Sequence, residues 1–226
     1  MKLRVSCPKT AALTLLEVLV VIVVLTILVI LILPIFFSNN LSAKRINCVN
    51  NLKQIGLAYR IWPGPQGFDY QTRVSVKNGG VEELVQSGIA YISYQVMSNE
   101  LASPKLLICP ADTNRFAATN FSVGFGNKNV SYFVGVRASE FWDVDDSGRI
   151  GQSLLSGDDN FEIKGVPIKS GLLELSTNEP IAWTGARHKF VGNIGLSDGS
   201  VQQVTIVGLT NLLCKTGLST NRLAIP

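Results

Sequence analysis

The hydropathy pattern opens with an apolar run from Leu13 to Phe37, interrupted only by Thr14, Glu17, Thr26 and Pro34. As helix, at about 1.5 Å per residue, the run is roughly 37 Å long, enough to cross a bilayer. Pro34 withholds a helix N–H and crowds the preceding turn, so a kink is expected there. The period then changes. Val49, Leu52, Ile55, Tyr59 and Trp62 recur at steps of three and four and line one helical face, with Asn47, Asn51, Lys53 and Gln54 largely off it. "WPGPQG" stops this helix, because two prolines and two glycines cannot extend it. Such a stripe predicts a helix packed on the chain's own sheet.

Beyond residue 63 the pattern is β-rich. "KNVSYFVGVRA", "EPIAWTG", "FVGNIGLSD" and "SVQQVTIVG" are short runs of β-branched and aromatic residues bounded by Gly, Asn or Asp. "SDGS" between the last two predicts a two-residue type I′ hairpin turn, because Asp-Gly tolerates positive φ. In "VEELVQSGIAYISYQVM" helix and strand patterns compete, with a second, shorter helix as one outcome. The expected fold is α+β, a long N-terminal helix on a mainly antiparallel sheet. The expected segments are 1–12, a basic N-terminal flank; 13–37, a transmembrane helix; 38–62, its amphipathic continuation; and 63–226, a globular head.

Composition changes this picture little, but charge sharpens it. The net charge of +4 comes mostly from Lys2, Arg4 and Lys9, all ahead of the apolar run. The remainder carries 17 basic and 16 acidic groups, since 3 of the 20 Lys and Arg are in the leader. No basic cluster of nucleic-acid type occurs in the body. A basic flank favours a cytoplasmic N-terminus, with Lys44 and Arg45 a mild counterweight. The apolar run is too long for a secretory h-region of about 7–15 residues, and no A-x-A site follows Pro34. A plain signal anchor accounts for the length but not for Glu17. Thr14-Leu-Leu-Glu17 also matches a capping box, in which the acid serves free backbone N–H groups.

The basic leader, a small residue and then "LTLLEVLVVIVVLTILVILILP" resemble the N-terminus of type IV pilins and type II secretion pseudopilins. The resemblance implies that a prepilin peptidase cuts between Ala12 and Leu13 and methylates the new Leu13 amine. Glu17 then becomes the fifth mature residue and Pro34 the twenty-second, as in that family. Ala12 stands where Gly is usual and Leu13 where Phe is commonest. In a growing fibre the Glu17 carboxylate can pair with a neighbour's amine, which compensates both charges and sets the axial register. Partners implied are copies of itself or other pilin-like subunits, the peptidase, an inner-membrane assembly platform and the lipid bilayer. The implied place is the inner membrane, single-pass with a periplasmic head, or a fibre outside it.

"CVNNLKQIGLAYRIW", "LLICPAD", "SYFVGVRA", "LLSGDDN" and "HKFVGNIGLSDGSVQQ" are similar to a pseudopilin-like subset of planctomycete and verrucomicrobial type. His188, nine residues, then Asp198-Gly199 is that subset's motif. "DVDDSGRIGQ" looks like an insertion relative to it.

Candidate chemistry is sparse. His188 is the sole histidine, so multi-histidine metal sites are excluded. Cys109 or Cys214 offers the only formal Cys–His nucleophile, without a nucleophile elbow or a phosphate loop. The expectation is a non-enzyme without a cofactor. A membrane-anchored binding domain that never polymerises is the competing reading. If Cys7 leaves with the leader, Cys48, Cys109 and Cys214 remain, and an exported head permits any one pair. Cys48 with Cys109 would staple the helix to the head. Asp143, Asp145, Ser147 and Gly148 match positions 1, 3, 5 and 6 of a calcium loop. Leu154 holds position 12, so Asp158 or Asp159 would have to fold back in place of the usual Glu; the alternative is a solvated turn.

Overall fold

The computed structural model describes residues 14–37, 40–64, 70–138 and 152–226. The chain divides into two compact units, one ending at Asn40 and one running from Leu41 to Pro226. Ala12 and Leu13 lie outside the described residues, as do Asp143, Asp145, Ser147 and Gly148.

The first unit contains helix α1, Leu15–Phe37, which includes Pro34. From Leu15 to Ile32 it is long and apolar enough to cross a membrane, and no part of that span is buried. Thr14 opens the helix, its Oγ1 accepting from the Glu17 N–H at 3.3 Å. That is half of a capping box. The Thr26 hydroxyl donates to the Ile22 and Val23 carbonyls at 2.7 and 2.9 Å, so its polar hydrogen is satisfied inside the helix.

Helix α2 is Asn40–Ile61. Its buried face carries Cys48, Leu52, Ile55, Ala58 and Tyr59, with Val49 and Trp62 partly covered. This is the apolar stripe read from the sequence. Three short helices follow: α3 Glu82–Gln86, α4 Tyr91–Val96 and α5 Ser98–Leu101. The contested 81–97 segment is therefore helical. It is broken rather than continuous, because Gly88 turns the chain at φ +90°.

The remaining elements are β1 Tyr132–Gly135, β2 Leu154–Asp158, β3 Phe161–Ile163, β4 Val166–Pro167, β5 Gly171–Ser176, β6 Ile181–Trp183, β7 Gly192–Leu196, β8 Val201–Val204, α6 Ile206–Lys215 and β9 Thr220–Ile225. Six strands form one sheet in the order β5-β9-β1-β2-β7-β8, and β4-β3-β6 form a second. Every pairing is antiparallel. The fold is α+β, with an N-terminal apolar helix and a mainly antiparallel sheet.

The larger sheet is covered on both faces. Tyr132, Val134, Leu155 and Ala224 pack with Leu52, Ile55 and Tyr59 of α2. Phe133, Leu154, Ile194, Leu196, Leu223 and Ile225 pack with Phe161, Trp183 and the α6 residues Leu209, Leu212 and Leu213. Successive strand residues point to opposite faces. A continuous apolar stretch such as "YFV" is what a strand buried on both sides reads like.

Two expectations are corrected. The strand read in "SVQQVTIVG" stops at Val204, because the Thr205 hydroxyl accepts from the Gly208 N–H at 3.3 Å and starts α6. The β7–β8 turn is not type I′. Only Gly199 has positive φ, at +79°. The Gly199 N–H donates to the Leu196 carbonyl and the Leu196 N–H to that of Ser200, both at 2.9 Å. That leaves a three-residue loop with Gly199 at its left-handed position.

Candidate functional site

The segments that carry the family resemblance lie far apart in the chain and meet at one place in the head. Cys48 projects from α2, and Cys109 follows the single-turn helix Pro104–Leu107; a disulfide joins them, their Cα atoms 5.3 Å apart. Asn51, nearly one turn along α2, donates to the Ile108 carbonyl at 3.1 Å and to the Tyr132 hydroxyl at 3.3 Å. The α2 segment is thus tied to both the Cys109 loop and β1. Cys214, on α6, is an exposed free thiol.

His188 lies over this disulfide in the segment before β7. It is 1% exposed, with Nε2 3.2 Å from Cys109 Sγ and 3.4 Å from Asp158 Oδ2. Asp158, at the end of β2, is fully buried. Its Oδ2 accepts from both the backbone N–H and the side-chain amide of Asn193 on β7, each at 2.8 Å. Among the described residues, Asp158 Oδ1 and His188 Nδ1 have no hydrogen-bond partner.

At 3.4 Å the contact has ion-pair length, yet each group is driven toward its neutral form. Burial raises Asp158 to about 6 against the opposing pull of Arg187 and Asn193. Burial, then Arg45 and Arg187, lower His188 to about 4. At neutral pH the pair is a neutral imidazole beside a carboxylate. Both Cys109 and Asp158 face the same ring nitrogen, so the ring cannot relay a proton from one to the other. A Cys–His–Asp triad uses both nitrogens.

Next to this pair, four charges close a ring. Arg187 reaches Asp112 at 2.7 Å and Asp159 at 2.6 Å; Arg115 reaches Asp159 at 2.7 Å and Asp112 at 3.4 Å. Arg187 also donates to the Ser131 carbonyl at 2.9 Å, and the Ser131 hydroxyl donates to Asp112 at 2.8 Å. Burial alone would raise Asp112, but Arg187, the Asn114 N–H, Ser131 and Arg115 together hold it below the usual carboxylate range. Alternating signs let each buried charge face two of the opposite sign. The ring lines a cavity of about 500 Å³, shared with Lys128 and Thr184.

This ring bears on the calcium expectation. Asp158 is held by Asn193 beside His188, and Asp159 by Arg115 and Arg187. Neither is free to fold back as a loop ligand.

The motif's other end is separate. Asp198 Oδ1 accepts from the Ser200 N–H at 2.8 Å, and Oδ2 from Gln152 at 2.6 Å. A Cβ at Gly199 would lie 2.9 Å from the Arg60 guanidinium, and a positive φ adds to the strain there. Arg45, early in α2, donates to the His188 carbonyl at 2.8 Å; Arg60, near its end, reaches the Ser197 carbonyl at 3.5 Å. Those arginines are 15 residues apart in the chain, about 22 Å of helix. The nine-residue spacing is the length of strand and turn laid along that stretch of α2.

Sequence reasoning singled out His188, Asp198, Gly199, Cys48 and Cys109. It named Asp158 and Asp159 only as stand-ins for a calcium-loop ligand, and it missed Asn193, Asp112, Arg115 and Arg187 as site residues. Their only signal was position inside resembling segments such as "LLICPAD" and "LLSGDDN".

Comparison of the chain with family models, with curated proteins and with solved structures returns no match.

Proposed function

We propose that this chain is a pilin-like structural subunit. It is inserted once in the inner membrane with its N-terminus cytoplasmic. A prepilin peptidase cleaves it between Ala12 and Leu13 and methylates the new amine, and the subunit joins a type II secretion or type IV pilus-like fibre. The observation that carries this reading is Glu17. The carboxylate projects from the start of a largely apolar helix whose span Leu15–Ile32 is unburied, and among the described residues it has no hydrogen-bond or ionic partner. A carboxylate at the membrane centre costs roughly 2.5–3.5 kcal/mol on insertion scales, less near the interface. An amine supplied by a neighbouring subunit offsets that cost, and the cap on the Glu17 N–H does not use the carboxylate at all.

The test has two parts. Intact mass of the membrane-extracted protein, made with an active prepilin peptidase, should lack residues 1–12 and carry one added methyl. Glu17→Ala and Glu17→Gln should leave insertion and cleavage intact while reducing incorporation into the fibre by at least about 10-fold. Normal incorporation of both variants refutes the pairing, and a mass retaining residues 1–12 refutes the processing. The cavity beside the charge ring favours the second reading, an anchored binding head that does not polymerise, which predicts neither cleavage nor dependence on Glu17.

A further inference from the structure

We propose that, with its two cysteines reduced, the Cys48–Cys109–His188–Asp158 cluster binds one zinc-type dication, and that metal and disulfide are alternative occupants of the same buried space. The proposal concerns the head alone and does not depend on how the N-terminal helix is used.

The argument starts from ligand chemistry. Two thiols, one imidazole and one carboxylate come from α2, the Cys109 loop, the segment before β7 and the end of β2. One ligand atom from each lies within 4.8 Å of all the others, and all four residues are buried. A tetrahedral zinc site has bonds of about 2.0–2.3 Å, which separates its ligand atoms by roughly 3.3–3.8 Å. His188 Nε2 already stands 3.2 Å from Cys109 Sγ and 3.4 Å from Asp158 Oδ2. Once the S–S bond is broken, the sulfurs need only relax apart by a side-chain rotation.

Two further observations point to a cation. Asp158 Oδ1 is buried and unpartnered while Asn193 holds Oδ2 with two hydrogen bonds, so the carboxylate is both oriented and left with coordinating capacity. Cys109 and Asp158 also face the same His188 nitrogen, Nε2, so an ion held there is within reach of both a sulfur and a carboxylate. Charge fits as well. Two thiolates and a carboxylate around a dication leave a net charge of −1, next to the guanidinium groups of Arg45 and Arg187 that already act on His188. Mixed sulfur and nitrogen ligands select zinc-type ions over calcium or magnesium.

The chemistry balances in two steps. A dithiol reductant delivers two electrons and two protons to the Cys48–Cys109 bond, giving two thiols and leaving the reductant as a disulfide. The dication then displaces one proton from each thiol and takes the neutral imidazole without further proton release, so binding weakens as pH falls.

Cobalt(II) is the probe, used on the full chain in detergent micelles. The protein reduced with a dithiol should bind one equivalent, with thiolate-to-cobalt absorption in the near ultraviolet and the intense visible bands of a tetrahedral site. Zinc should displace the cobalt and should slow reoxidation of Cys48 and Cys109, followed by thiol titration, by at least about 10-fold. The oxidised protein should bind none. His188→Gln and Asp158→Asn should each weaken cobalt binding by at least about 10-fold, and Cys48→Ser with Cys109→Ser should abolish it. Circular dichroism checks that each form is folded. If a single variant unfolds, the contrast between oxidised and reduced wild-type protein still decides the matter. Absence of one-equivalent binding by folded reduced protein overturns the proposal. So does equal binding by the oxidised protein or by the serine variant.

Discussion

Replacing Asp158 by Asn and His188 by Gln should tilt the pH dependence of stability in opposite directions. Burial raises Asp158 from the ordinary 3.8 to about 6. The folded state then holds the proton more tightly than the unfolded one. That contribution is full below 3.8 and is lost as pH rises through about 6. His188 moves the other way, from 6.5 to about 4. Its contribution is full above 6.5 and is lost as pH falls through about 4. At about 1.4 kcal/mol per pH unit, each amounts to about 3 kcal/mol. Over pH 4–6.5 the two therefore nearly cancel in the native protein. The groups facing the pair are Arg45 from α2, Arg187, Asp159, Tyr132 and Cys109. Relative to wild type, Asp158→Asn should lose about 3 kcal/mol of stability between pH 6.5 and 4. His188→Gln should gain a similar amount over the same interval. Urea unfolding of the oxidised protein with a chelator present, read by the fluorescence of buried Trp183, measures this at several pH values. Comparison with wild type removes the contribution of Asp112 and of the surface carboxylates. Unchanged slopes in both variants would show that folding shifts neither group, and slopes of the reverse sign that His188 and Asp158 form an ordinary ion pair.

Peptide mapping of the protein purified without reductant should link Cys48 to Cys109 and leave Cys214 free. The bond joins residues 61 apart in the chain, so reducing it in the presence of chelator should cost about 4 kcal/mol through loop-closure entropy; a loss below about 1 kcal/mol in urea titrations would refute that. Gly192→Ala should destabilise the head by about 1–3 kcal/mol, because the new methyl would sit 2.2 Å from the Trp183 ring. An unchanged unfolding midpoint would show that the ring moves aside freely.

The elements legible in the sequence are those whose cause is local. Helix α1 follows from an uninterrupted apolar run, and the buried face of α2 from a step of three or four. Runs such as "SYFVGV" and "GNIGL" announced β1 and β7 because residues buried on both faces of a sheet leave no alternation to misread. Where two local rules competed, tertiary context chose. "VTIVG" has strand composition, yet Thr205 at a cap position and the packing of Leu209, Leu212 and Leu213 onto the second core made it α6. Asp-Gly allows a type I′ turn, but Asp198 stays at negative φ, with its carboxylate bonded to the Ser200 N–H.

The apolar run, the helical stripe that follows it and the short β-branched runs determined by themselves that this chain has an N-terminal helix fit for a membrane and an α+β body. Such properties sum over neighbouring residues and need no partner from afar. The pairing of His188 with Asp158, the closed ring of Asp112, Arg115, Asp159 and Arg187, and the meeting of Cys48 with Cys109 were decided by the tertiary structure. Strands β1, β2 and β7 lie side by side in the sheet, and α2 packs over them. Only that arrangement brings residues 48, 109, 158 and 188 into one buried space, where burial and a few guanidinium groups set their charges.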